Sequence, residues 1–273
     1  MAQQDLAAPK PLAVVTGASR GIGLELAKQF AQHGFDLVLA ARGPALEQVS
    51  AELEAQTGAF VESVQVDLCT HAGVEALYAR IQELARPVDA LVLNAGMGVG
   101  GDFARETDLQ EELLLIALNV CSSVHLAKRV VRDMVQRGEG RLLFVSSVAA
   151  ITPAPLEAVY GASKAFLSSF AASLREELRD TGVSVTALLP APTETGIFED
   201  AGMGDTRVAR MKKDDPAEVA RQGFEALMKG KAKVVGGSFA HGAVVAVSGL
   251  APDALKAKVH RFMAAKDPKS EEP

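Results

Sequence analysis

The sequence predicts an α/β fold: a single-domain, doubly wound (Rossmann-type) parallel sheet of about seven strands with helices on both faces. Three observations predict it. Short apolar runs recur along the chain, as strands buried on both faces of a parallel sheet require. Segments with helical spacing separate them. Three glycines, Gly17, Gly21 and Gly23, stand between the first apolar run and the first helical pattern.

The elements follow in order. Strands are expected at 12–16, 36–41, 61–66, 90–93, 141–146, 183–189 and 233–235. Helix ends are marked by Gly34, by Gly138 after a long helical pattern over 109–137, and by Gly182, each placed as a C′ glycine. Residues 190–215 hold two prolines, three glycines and several charges, too long for an ordinary connection, and read as a mobile substrate lid. From Phe239 a tail adds an apolar segment over 243–250, Pro252, an amphipathic helix to Ala265 and a charged end over 266–273. The domain reading is a flexible 1–11, a catalytic domain over 12–238 containing the lid, and an extension over 239–273 packed on that domain or at a subunit interface.

At 273 residues and 48% hydrophobic content the chain can bury one large core, and nothing in it forces a second domain. A net charge of −6 without a run of Lys and Arg argues against nucleic acid and against an anionic membrane surface. The expected partner is a small molecule. Cys69 and Cys121 are far apart and read as reduced core residues. The first eleven residues lack signal-peptide character, and no apolar stretch is taken to approach the roughly 20 residues of a membrane span, so a cytoplasmic location is expected. His33, His71, His125, His241 and His260 read as scattered, without i,i+4 pairing or carboxylate company, and no metal is expected.

A glycine cluster at a strand-to-helix junction lets ligand oxygens reach the free N–H groups of the first helical turn, so the loop suits a pyrophosphate. Its spacing, glycine, three residues, glycine, one residue, glycine, differs from G-x-G-x-x-G, and a plain flexible turn accounts for the cluster too. Further motifs lie downstream. Asn94-Ala95-Gly96 follows the fourth strand, Asn119 sits in the next helix, and Ser147 precedes Tyr160-x-x-x-Lys164 by thirteen residues. Taken singly, Tyr160 is a half-buried helix aromatic, Lys164 its solvated neighbour, Ser147 a turn former and Asn119 a helix-interior hydrogen-bonder.

In this order and spacing, over about residues 12–236, the chain resembles the classical short-chain dehydrogenase/reductase family. The resemblance implies Asn119, Ser147, Tyr160 and Lys164 as catalytic residues. Tyr160 and Lys164 share a helix face, and a cation there favours the phenolate. By the family pattern Tyr160 exchanges a proton with the substrate oxygen, Ser147 hydrogen-bonds that oxygen, Lys164 also holds the nicotinamide ribose, and Asn119 anchors a water relaying protons to solvent. Cofactor contacts are implied at Gly17, Ser19, Arg20, Gly21, Ile22, Gly23, Arg42, Asp67, Leu68, Asn94, Ala95, Gly96, Tyr160, Lys164, Pro190, Thr193 and Thr195. Asp67 also reads as a cap for the helix starting near Thr70. Ala41-Arg42 ends the second strand without an acid for the ribose hydroxyls, and Arg20 adds a second cation, so NADP(H) is preferred over NAD(H).

Two departures stand out, Leu93 where the family often has Asn and Ala191 in place of glycine after Pro190, while Thr195 is the retained threonine of the lid entrance. The function implied is hydride transfer between nicotinamide and a carbonyl or alcohol, on an apolar substrate facing Ala149, Ala150, Ile151, Pro153, Pro155 and Leu156. The alternative is a non-catalytic NADP(H)-binding regulator. Family habit implies a homodimer or homotetramer. The tail stripe Leu255, Val259, Phe262 and Met263 is expected over the substrate mouth or in a subunit contact rather than on a membrane.

Overall fold

Apolar runs with no polar alternation must be covered on both faces, and they are. The computed structural model describes residues 9–238 and 251–267. Its strands are β1 (Leu12–Thr16), β2 (Asp36–Ala41), β3 (Val61–Gln65), β4 (Ala90–Leu93), β5 (Gly140–Val145), β6 (Val183–Pro190) and β7 (Lys233–Gly236). They form one parallel sheet in the order β3-β2-β1-β4-β5-β6-β7. The order reverses between β1 and β4, which opens a crevice beyond the carboxyl ends of those two strands.

Helices α1 (Gly21–Gln32), α2 (Ala45–Thr57) and α9 (Pro216–Met228) supply one layer, while α3 (His71–Glu83), α5 (Ser122–Arg137) and α6 (Ala158–Glu177) supply the other. Successive strand residues serve opposite cores: Val14 packs with Leu126, Leu142 and Phe144, whereas Ala13 and Val15 pack with Leu26, Phe30 and Phe224. Phe30 meets Phe35 and Phe224 edge-on, each at 5.0 Å between ring centres.

The long pattern over 109–137 is one continuous helical rod: α4 (Leu109–Ile116), a π-helical turn (Ala117–Cys121) and α5. Its most apolar window has a mean hydropathy of 1.4, enough by length and composition to cross a membrane, which corrects the expectation that no stretch reaches that length. Here α5 instead packs on α3, β4 and β5. Two further corrections concern single residues. Gly182 caps no helix, since α6 ends at Glu177; it turns the chain at φ +77°, where a Cβ would overlap the Gly138 carbonyl. Cys121 is exposed and Cys69 half-buried, so both are free thiols and neither is a core residue.

Residues 190–215, expected to form a lid, carry two short helices, α7 (Ile197–Asp200) and α8 (Arg207–Arg210). The Lys213 ammonium, reaching Glu194 at 3.3 Å and Glu199 at 3.4 Å, ties the segment to itself. The last helix, α10 (Asp253–Ala264), rests on α8, with the Arg207 guanidinium 4.3 Å from the Phe262 ring centre. The apolar stripe of α10 faces outward in the single chain, with Leu255, Val259 and Phe262 exposed by 53, 56 and 60%; of the two expected places, the substrate mouth and a subunit contact, only the second would bury it. The apolar segment 243–250 lies outside the described residues.

Candidate active site

The glycine loop is pinned to the end of β4 by Asn94. Its side-chain amide donates to the carbonyls of Thr16 at 2.9 Å and Gly17 at 3.2 Å, while the Thr16 hydroxyl accepts from the backbone N–H groups of Asn94 and Ala95, both at 3.0 Å. This seam explains two glycines. Gly17 is left-handed at φ +67°, and a Cβ on Gly23 would overlap the Gly17 carbonyl oxygen. Arg20, the N-cap of α1, makes no side-chain cap, so the first-turn N–H groups stay available to an anion. A dinucleotide pyrophosphate fits a cradle of this kind.

On the other side of the crevice, α6 carries Tyr160 and Lys164. Ser147, just beyond β5, stands beside the Tyr160 phenol and caps the following turn, accepting from Ala149 N–H at 3.1 Å. Lys164 is 4% exposed; its Nζ donates to the Val145 carbonyl at 3.1 Å and lies 5.7 Å from the Tyr160 ring centre. Asn119 is fully buried in the π-helical turn. It accepts from Met97 N–H at 2.9 Å and donates to the Met97 carbonyl and the Ser163 hydroxyl, both at 3.0 Å, and Ser163 in turn donates to the Tyr160 carbonyl at 2.7 Å. A Cβ on Gly96 would lie 3.1 Å from Asn119 Oδ1 and 3.3 Å from Lys164 Nζ. Asn119, Ser147, Tyr160, Lys164 and Gly96 are thus one cluster.

Its electrostatics differ from the expectation. Burial, with the Glu157 carboxylate next, holds the Tyr160 phenol above its ordinary range, and the Ser147 hydroxyl beside it pulls only weakly the other way. Lys164 does not depress the phenol here. Burial itself lowers Lys164 from 10.5 to about 8. The site therefore presents a protonated phenol beside an ammonium that is poised to titrate.

The remaining predicted residues divide between the two ends of the crevice and one buried position. Arg42 is exposed at the end of β2, where its carbonyl accepts from Gln65, the last residue of β3, at 3.0 Å. Asp67 accepts from Cys69 N–H at 3.0 Å, whereas Thr70 caps α3, so Asp67 is not the helix cap. Leu68 is buried below it, Ile22 packs on the core, and Ser19 is half-buried in the loop. Pro190 ends β6, and Thr195 stands against the loop, its Cβ 3.0 Å from where a Gly21 Cβ would be. Thr193 is buried and gives its hydroxyl to the Ala191 carbonyl at 2.6 Å. Arg20 is ion-paired with Asp200 of α7, a contact that no local pattern signals.

The histidines also need correcting. His71 and Glu75 are an i,i+4 pair on α3, which was legible in the sequence, and the fold adds His125 from α5. His260 meets Glu157 at 3.0 Å, tying α10 to the residue before α6.

A family model described as short chain dehydrogenase matches residues 11–205. The mouse protein named dehydrogenase/reductase SDR family member 7B is 31% identical over 249 residues, spanning 88% of this chain and 77% of that one. A short-chain dehydrogenase from Sphingobium yanoikuyae, solved with NADPH, superposes with a TM-score of 0.79 at 33% identity, covering 88% of this chain and 92% of the other. One from Burkholderia phymatum, solved with NAD, gives 0.78 at 28% identity, covering 87% and 91%.

Lys164→Met tests the burial of the ammonium. Because the folded pKa lies below the unfolded one, the unfolded chain binds more protons between pH 8 and 10.5, and stability rises with pH across that window. Below pH 8 the folded state carries a cost on the order of 3 kcal/mol, offset by about 1 kcal/mol from the bond to Val145. The variant is expected to gain about 2 kcal/mol in urea unfolding at pH 7, a gain that shrinks towards pH 10.5.

Proposed function

Because the chain belongs to the short chain dehydrogenase family, we propose that it is an NADP(H)-dependent oxidoreductase transferring hydride between nicotinamide and the carbonyl or alcohol of a small apolar substrate. The observation that carries this reading is the convergence of Ser147, Tyr160 and Lys164 beside Asn119 and Gly96, next to a loop shaped for a pyrophosphate. A non-catalytic regulator has no use for a phenol held protonated and an ammonium held in a buried site.

A dinucleotide held by the glycine loop would supply the hydride to the carbonyl carbon, or accept it in the reverse direction. Tyr160 gives its phenolic proton to the carbonyl oxygen and takes it back in alcohol oxidation. Ser147 hydrogen-bonds the same oxygen and fixes its position. Lys164 offers its ammonium to the ribose hydroxyls and restores the Tyr160 proton. Asn119 orients the segment after β4 through its two bonds to Met97, and we assign it the relay to solvent.

The NADP(H) preference rests on Arg42 and Arg20, with no acid at the end of β2. Arg20 is held by Asp200, so we read the lid, 190–215, as mobile: a 2′-phosphate would compete with the lid carboxylate for the guanidinium. An apolar substrate is supported by the mouth. Ala201 and Met203 of the lid press on Gly98 and Gly100 beside Tyr160, and Leu156 closes onto Gly101. Ile151 is turned into the core instead, packed against buried residues of the sheet. We further read the molecule as a cytoplasmic homodimer or homotetramer. Its support is an open apolar groove between the 109–137 rod and α6, lined by Phe103, Ile116, Val120, Val159 and Phe166.

Three measurements test these assignments. Tyr160→Phe is expected to lower kcat by about 10²–10⁴-fold while changing NADPH affinity little, as read by stopped-flow turnover and by titration. Arg42→Ala is expected to weaken NADPH by about tenfold and NADH less than twofold, and equal losses would show that Arg42 does not read a 2′-phosphate. Phe166→Glu, placing a charge in the apolar groove, is expected to reduce the solution mass to that of a monomer by light scattering. An unchanged assembly would move the subunit contact elsewhere.

A further inference from the structure

We propose that His71, Glu75 and His125 form a site for a divalent transition-metal ion of the zinc class, which ties the first turn of α3 to α5. The two imidazoles and the carboxylate each offer one ligand atom, and these atoms lie within 4.8 Å of one another. His71 and Glu75 are one turn apart on a rigid helix, and the His71 and His125 rings are 4.6 Å apart at a 36° tilt. Metal–ligand bonds of about 2.0–2.2 Å need ligand atoms roughly 3.4 Å apart, a contraction that rotation of the exposed His71 ring supplies.

The donor chemistry selects the ion. Two imidazoles with one carboxylate and a water suit Zn²⁺, whereas Mg²⁺ and Ca²⁺ require oxygen cages. His71 faces solvent, giving both an entry path and the open position for water. Arg129 is the native competitor: its Nε and Nη2 donate to Glu75 Oε1 at 2.9 and 2.7 Å, and His125 Nε2 lies 2.5 Å from the same oxygen. These three contacts converge on Oε1, which directs an incoming cation to Oε2. The guanidinium has a second resting place over the Tyr78 ring, 5.6 Å from its centre. Cys69, two residues before His71, is not among the groups whose ligand atoms converge here.

The test uses the full chain with Cys69→Ser and Cys121→Ser, which removes adventitious thiol binding. Isothermal titration with Zn²⁺ is expected to find one ion per chain in the micromolar range, with a Tm rise of about 2–4 °C at about tenfold excess over Kd and no response to Mg²⁺. His125→Ala and Glu75→Gln should each weaken binding by about tenfold or more while retaining their metal-free Tm within a few degrees, which shows that they fold. Arg129→Gln should tighten it, because the competing cation is gone. Absence of binding, or binding that survives His71→Ala and His125→Ala, would overturn the site. Unchanged or weaker binding in Arg129→Gln would remove Glu75 from it and equally overturn the three-residue arrangement.

Discussion

The seam between β1 and β4 is the constraint on which the remainder of the site depends. Parallel strands end in carbonyls and N–H groups with no partner beyond the sheet, and at the reversal of strand order the helices diverge and leave those groups open. Asn94 and Thr16 close the gap with one amide and one hydroxyl, drawing the glycine loop against the end of β4. Backbone packed this closely has no room for side chains. Gly17 and Gly23 are therefore needed for the seam itself, before any ligand binds.

A polar chain crosses the crevice from this seam. It runs from Met97 through Asn119 and Ser163 to the Tyr160 backbone, and the buried ends of Asn119 are satisfied at every step. Asn119 sits within the π-helical turn with its side chain fully buried. Beside it Lys164 is buried at a cost to folding, and a cost of this kind fits the catalytic role we propose for it.

Around this rigid centre the periphery is tied by charge. Arg20 joins Asp200 across the crevice, Lys213 gathers Glu194 and Glu199 within the lid, and His260 on α10 meets Glu157 at the start of α6. Of these only Arg20–Asp200 is an exposed pair, which contributes about 0–1 kcal/mol and so costs little to exchange for a ligand. The two cores hold the sheet; the ion pairs only bias how its edge is covered.

The sequence by itself determined what depends on local pattern. All seven strands were legible to within one residue, because a doubly buried strand is a continuous apolar run bounded by turn residues. The glycine loop and the Tyr160–Lys164 pair were legible because their chemistry lies within a few positions of one chain segment. Only the tertiary structure decided what joins distant segments. His125 reaches Glu75 from 50 residues further along the chain and His71 with it, Asp200 reaches Arg20 across 180, and the Gly138 carbonyl gives Gly182 its reason. The outward face of α10 belongs to the same class: its amphipathic pattern shows that a stripe exists, but which stripe is buried depends on α8 and Glu157. So does the phenol of Tyr160, whose sequence neighbour Lys164 suggested a depressed pKa while burial, a property of the whole fold, raised it.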